Sequence, residues 1–224
     1  MTRLLNRLHS DEAGFTITEL LVATLVGTVI LLATFTMLDS SVILTGKVTD
    51  RVDRTSRART AMEQITRELR SQVCPSPGVP ALIDGQSYSI KFYSFTGSGA
   101  FVPDIRQIAW DTNTNTITDK LYQGSGTSPY TTWPASPTRT TTVLSDVKPP
   151  PANAPIFGYY ALGAASSFTA PLAATDLANT SKVTINFLTY AQSKNLTGTA
   201  ITLQNEVLSR TADPNNANGA PQCA

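Results

Sequence analysis

Between residues 14 and 38 the chain reads GFTITELLVATLVGTVILLATFTML, an apolar run in which Glu19 is the one charged side chain. From Phe15 to Leu38 it is 24 residues. As an α-helix at 1.5 Å per residue that is about 36 Å, enough to cross the hydrocarbon layer of a bilayer. In lipid such a segment is helical, because nothing around it can satisfy backbone N–H and C=O groups. The acid is the anomaly. A carboxylate in hydrocarbon costs about 2.5–3.5 kcal/mol on insertion scales, so an ordinary anchor omits it.

The residues ahead of the run, MTRLLNRLHSDEAG, are polar and carry Arg3 and Arg7. A secretory signal peptide is cut after its apolar stretch, at small residues of the A-x-A kind. Here Asp39-Ser40-Ser41 follow instead, so the run is expected to remain and to span. Lys47, Arg51, Arg54, Arg57 and Arg59 come after it. By the positive-inside count, that excess places the C-terminal part in the cytoplasm.

No proline interrupts residues 15–74, and Pro75 and Pro77 stop any helix there. Past the lipid-length part the pattern becomes amphipathic. Val48, Val52, Thr55, Ala58, Met62, Ile65, Leu69 and Val73 recur at spacings of three and four and share one helical face. Glu63 and Arg67 stand four apart in the favourable order. One helix over 15–74 is predicted, about 88 Å long, with Gly27 and Gly46 as its weak points.

After Cys74 the signals change to strands and turns. SYSIKFYSF (87–95) alternates Tyr88, Ile90 and Phe92 with polar residues, and Gly97-Ser98-Gly99 marks a turn. IRQIAW (105–110) and TITDKLY (116–122) flank a hairpin loop from Asp111 to Asn115. Residues 123–138 read as loop, TTTVLSDV (140–147) as a short strand and Pro149 to Pro151 as a spacer. IFGYYAL (156–162), KVTINFLTYA (182–191) and AITLQNEVLSR (200–210) complete the set, the last two pairing across a loop around residues 194–199. The fold class is α+β: a long N-terminal helix, transmembrane in its first half and amphipathic in its second, packed on an antiparallel sheet.

Charge excludes a strongly basic nucleic-acid binder, with 17 basic and 16 acidic residues in 224. Cys74 and Cys223 both lie beyond the apolar run. Either they form one disulfide in an oxidising compartment or they are two separate thiols; spacing alone decides neither.

The sequence from Gly14 to Ala23, glycine, an aromatic, then TITELLVA, resembles the cleavage and methylation motif of type IV prepilins and pseudopilins. The resemblance implies that a membrane peptidase cuts between Gly14 and Phe15 and methylates the new N-terminus of Phe15. It implies a leader over 1–14, a transmembrane half-helix over 15–38, an amphipathic half over 39–74 and an extracytoplasmic β-rich head over 75–224. The family's glutamate falls on Glu19. In a filament, the apolar helices of many chains form a core, and Glu19 pairs there with the positive N-terminus of a neighbour. Pairing with its own N-terminus is the alternative. Asp11 and Glu12 depart from the family's net-basic leader. The resemblance sets the C-terminal part outside, against the charge count, and basic residues on the amphipathic helix are then expected to sit against the head.

Residues 38–73, above all the run from Arg57 to Arg70, look like J-type minor pseudopilins of type II secretion and equally like W-type minor pilins. The likeness implies a structural subunit of a tip or initiating complex, with no catalytic role and no cofactor. Its implied partners are other pilins or pseudopilins, the prepilin peptidase, an inner-membrane assembly platform and membrane lipid. It implies a cytoplasmic (inner) membrane location and then a cell-surface or periplasmic filament. The rival is an anchored or tip-borne binding module, an adhesin or a DNA receptor, although no clear nucleic-acid site is visible. A third reading is an anchored protein that never polymerises.

Catalytic patterns are missing. His9, the one histidine, lies in the leader, so a processed chain cannot run a Ser-His-Asp or Cys-His mechanism. Asp104 and Asp111 are scattered acids rather than a spaced pair. Asp111 to Asn115 has the first ligand spacings of a calcium loop, but Thr116 and Tyr122 stand where Gly and Glu belong, which favours a polar hairpin turn. Trp110, Trp133, Tyr159 and Tyr160 are either core or a binding face. Asn195-Leu196-Thr197 matches a glycosylation acceptor by pattern alone.

Overall fold

A computed structural model of the chain describes residues 14–95, 102–126, 132–151, 154–190, 200–212 and 223. The chain divides into two compact units, Met1–Asp50 and Arg51–Ala224. In the first, every described residue is exposed and the backbone is helical from Ile17 onward. This helix, α1 (Ile17–Arg70, 54 residues), runs through Gly27 and Gly46. It is long and apolar enough to cross a membrane by length and composition.

In the second unit, α1 buries Ala58, Ala61, Met62, Ile65, Thr66 and Leu69. The predicted stripe is right from Ala58 to Leu69, but it begins too early and its last member, Val73, lies past the helix end. Val52 is 64% exposed and Val48, in the first unit, 55%, because spacing defines a face without saying where a covering layer starts. Arg51, Arg57 and Arg59 are also exposed and Arg54 is half-buried. The expectation that these basic residues sit against the head holds in part: Arg54 and Arg57 line a cleft with Leu144, Asp146 and Tyr190, and Arg59 one with Leu203 and Asn205, while Arg51 is exposed. Arg57 forms an i,i+4 ion pair with Asp53 on this stretch, at 2.7 Å.

The helix stops at Arg70, four residues before the predicted limit. Ser71 Oγ takes the Glu68 carbonyl at 2.6 Å. Gln72 then bridges to Ser94, and Val73 N–H donates to the Tyr93 carbonyl at 3.1 Å. The chain has joined a sheet before the prolines act.

Five strands, β1 (Leu82–Gly85), β2 (Ser89–Ser94), β3 (Asp104–Asp111), β4 (Thr116–Tyr122) and β5 (Arg139–Leu144), form an antiparallel sheet in sequence order. Alternation sets its faces: Ile90, Phe92 and Ser94 point inward on β2. The predicted β3–β4 hairpin is present, with Asp111 ending the strand opposite Thr116 rather than opening the loop. Asn115 closes its loop at φ 53°, and Asp111 Oδ1 accepts from Asn113 N–H at 2.8 Å, an Asx turn.

A second sheet, rather than one continuous sheet, holds β6 (Val147–Lys148), β7 (Phe157–Tyr160), β8 (Lys182–Thr189) and β9 (Ile201–Leu208). β9 pairs with β8 over its whole length, as predicted, from Lys182 opposite Leu208 to Thr189 opposite Ile201. The pattern TTTVLSDV predicts one strand. It splits because Asp146 adopts φ 59°, a left-handed corner that Asp tolerates. β5 ends in the first sheet and β6 starts the second. Strand β1 and the short helix α2 (Ala174–Asn179) lack the periodicity that would have revealed them.

The two sheets and α1 share one core, in which Ile65 and Leu69 meet Phe92, Ile117, Phe157, Tyr159 and Phe187. Gly85 is required by a close approach: a Cβ there would lie 2.6 Å from Leu172 Cδ1. The turns around 97–99 and 194–199 and the pattern at Asn195 lie outside the described residues.

Candidate functional site

The motif at the head of α1 forms a small closed network. Gly14 to Thr16 are non-helical and exposed, Ile17 is the first helical residue, and Phe15 is 88% exposed. The Gly14–Phe15 peptide thus lies in accessible, non-helical backbone, the form a peptidase can engage. Residues 1–13 lie outside the described residues.

Thr16 caps the helix. Its Oγ1 accepts from Glu19 N–H at 3.3 Å. Glu19 Oε2 accepts in return from Thr16 N–H at 3.1 Å and from the Thr16 hydroxyl at 3.0 Å. This is a reciprocal capping box, which satisfies helix-end donors that otherwise have no partner. It also sets a carboxylate at the positive end of the helix dipole. The Glu19 carboxylate is thereby held on the Thr16 amide three residues back in its own chain, whereas the sequence pattern suggests only a partner at a chain terminus. The T-x-x-E spacing ahead of an apolar run was the available signal.

The polar residues within the run are satisfied locally. The hydroxyls of Thr24, Thr28 and Thr34 donate to carbonyls four residues back, at 3.0, 2.6 and 3.1 Å, and Thr36 donates to Ala33 O at 2.8 Å. In hydrocarbon such hydroxyls have no water to turn to, so back-bonding removes most of their cost.

In the second unit Cys74 and Cys223 are joined, with Sγ atoms 2.03 Å apart and Cα atoms 5.3 Å apart across 149 positions. Gly78 N–H donates to the Cys223 carbonyl, so the end of the chain is pinned just past α1.

The aromatic candidates divide. Tyr159 is core: fully buried, its hydroxyl donates to the Gln86 carbonyl at 2.9 Å and sits 3.1 Å from that of Ser89. Burial pushes its phenol far above the usual tyrosine range. Trp133 Nε1 donates to Pro103 O at 2.9 Å, and Trp110 Nε1 to Val147 O at 3.0 Å. Tyr160 lies beneath the Lys182 ammonium, 4.5 Å from its ring centre. Trp110 also lines a cleft of about 420 Å³ with Asn115, Lys148, Pro149, Leu188 and Tyr190.

Asp104 and Asp111 occupy opposite ends of β3 and form no pair. Asp104 accepts from Gly124 N–H at 2.9 Å. Asp111 is held below the usual carboxylate range by the Asn113 amide and the Thr114 hydroxyl. Among the described residues no three His, Cys, Asp or Glu side chains gather as a metal site.

Sequence reasoning missed one cluster: Glu68 of α1, Arg106 of β3 and Asp119 of β4. Arg106 Nη1 lies 2.7 Å from an oxygen of each acid. The only advance hint was polar residues at inward positions of two strands.

No protein-family model and no curated protein matches the chain.

Proposed function

We propose that the chain is a minor pilin or pseudopilin: a non-catalytic subunit that is anchored by α1, cut after Gly14, methylated on Phe15 and built into a type IV pilus or type II secretion pseudopilus. One observation carries the reading. A carboxylate is fixed at the very head of an apolar helix, directly after an exposed Gly14–Phe15 junction. Cutting there makes Phe15 N a cationic amine next to Thr16, whose N–H already touches Glu19. The acid, costly in lipid, then has cations to meet: its own terminus or that of a neighbour.

On this reading the head lies outside the inner membrane, a compartment that permits the Cys74–Cys223 bond. Its partners are other pilins or pseudopilins, the prepilin peptidase, the assembly platform and lipid; no cofactor takes part. N-terminal mass analysis of a Gly14→Ala chain tests it. The variant is expected to stay uncut and unmethylated in the membrane, and processing at an unchanged rate would contradict the reading.

A second reading, a tip-borne binding module, is favoured by the cleft between Trp110, Lys148 and Tyr190. Loss of adhesion or DNA uptake in Trp110→Ala, with filaments intact, would select it.

A further inference from the structure

Glu68, near the end of α1, meets Arg106 and Asp119 where the helix lies on the first sheet. Arg106 Nη1 is 2.7 Å from Glu68 Oε2 and equally 2.7 Å from Asp119 Oδ2. The three side chains are only 14%, 5% and 4% exposed in the order Glu68, Arg106, Asp119. One cation thus faces two acids in a place that water hardly reaches. Arg67 of α1 and Arg139 of β5 also bear on the acids, but both are exposed and their charge is screened by solvent. With both carboxylates ionised, the joint would bury an uncompensated negative charge. Asp119 Oδ1 is buried and has no hydrogen-bond donor among the described residues.

We propose that Glu68 and Asp119 share one proton around Arg106, making the contact between α1 and the first sheet a pH-sensitive clasp. One carboxyl group stays neutral, Arg106 pairs with the other, and the buried charge sums to zero. Burial pushes both acids above the usual carboxylate range against the pull of Arg106, and Asp119 raises Glu68 further. The native state therefore holds a proton that the unfolded chain, with ordinary carboxyls, has lost. Stability is greatest at the acid side of this window. It falls as pH rises from the ordinary carboxylate pKa to the raised one, then levels off. This inference is independent of the assembly reading.

The test is denaturant unfolding of the full chain in detergent across that window, for the wild type, Glu68→Gln and Asp119→Asn. The wild-type unfolding constant is expected to rise by up to about tenfold per pH unit, and either neutral isostere to flatten the slope. Carbon-13 carboxyl resonances of the wild type, which need no variant to fold, are expected to show one of the two acids still protonated after ordinary carboxyls have ionised. Equal slopes in wild type and variants, or resonances showing both acids ionised through the window, would overturn the proposal.

Discussion

Thr16 and Glu19 hold each other at the start of the apolar helix, the hydroxyl of one accepting the amide of the other while the carboxylate accepts in return. The carboxylate is thus neither loose in lipid nor dependent on a distant partner for its position. The cap holds it on Thr16, next to the residue that would carry the new terminus on the proposed function.

Two substitutions separate capping from docking. Thr16→Val removes the hydroxyl but keeps the shape, so the first turn is expected to fray, seen as faster amide exchange at Thr18 and Glu19 in detergent. Glu19→Ala is expected to leave membrane insertion intact. It should cut incorporation into filaments by about tenfold or more, since truncating one side of a desolvated charge pair strands the other. Unchanged incorporation would remove the docking role and leave only the cap.

The Cys74–Cys223 bond closes nearly the whole head into one loop, which restricts the unfolded chain. Cys223→Ser should destabilise the head by about 2–4 kcal/mol, read as a lower denaturant midpoint, with the residues around Gly78 exchanging faster. A non-reducing peptide map gives the direct check: two separate thiols in native material would rule the bond out.

Tyr159→Phe is expected to cost about 1–3 kcal/mol. The ring still fills its place, but the Gln86 and Ser89 carbonyls lose the hydroxyl they share, and Ser89 O keeps only the Gln86 N–H. Equilibrium urea unfolding measures it, and a neutral result would mean that those carbonyls find another partner.

Asp111 makes an acid-side prediction. Its pKa is lowered by the Asn113 amide and the Thr114 hydroxyl. Its contribution is therefore present above the ordinary aspartate pKa and lost as pH falls through the lowered one. Asp111→Asn should weaken that acid dependence, measured by comparing unfolding midpoints at neutral and acid pH. This sense is opposite to that of Glu68 and Asp119, so the two effects are distinguishable.

What the sequence reveals follows from where physics is local. The 24-residue apolar run, the β3–β4 hairpin with its Asp111 turn and the β8–β9 pairing were all readable, because lipid length, period-two alternation and turn chemistry act over a few residues. The division into two sheets was not, since it hangs on a left-handed Asp146 within an otherwise continuous strand pattern. Val48 and Val52 misled because an apolar stripe looks alike whether protein covers it or not. Arg106 and Asp119 looked like ordinary strand residues. Their meaning appears only when Glu68, about forty or more positions away in sequence, is laid against them by a long-range packing that no local pattern encodes. At the head of α1 the T-x-x-E spacing of the cap is local and is plain in the sequence.

The proposed function turns on what happens at the Gly14–Phe15 bond. Mass analysis of the N-terminal peptide, on protein taken from the membranes and filaments of its own cells, tests it directly. The account predicts a chain that begins at an N-methylated Phe15. A chain that retains the residues upstream of Phe15 in assembled material would contradict it.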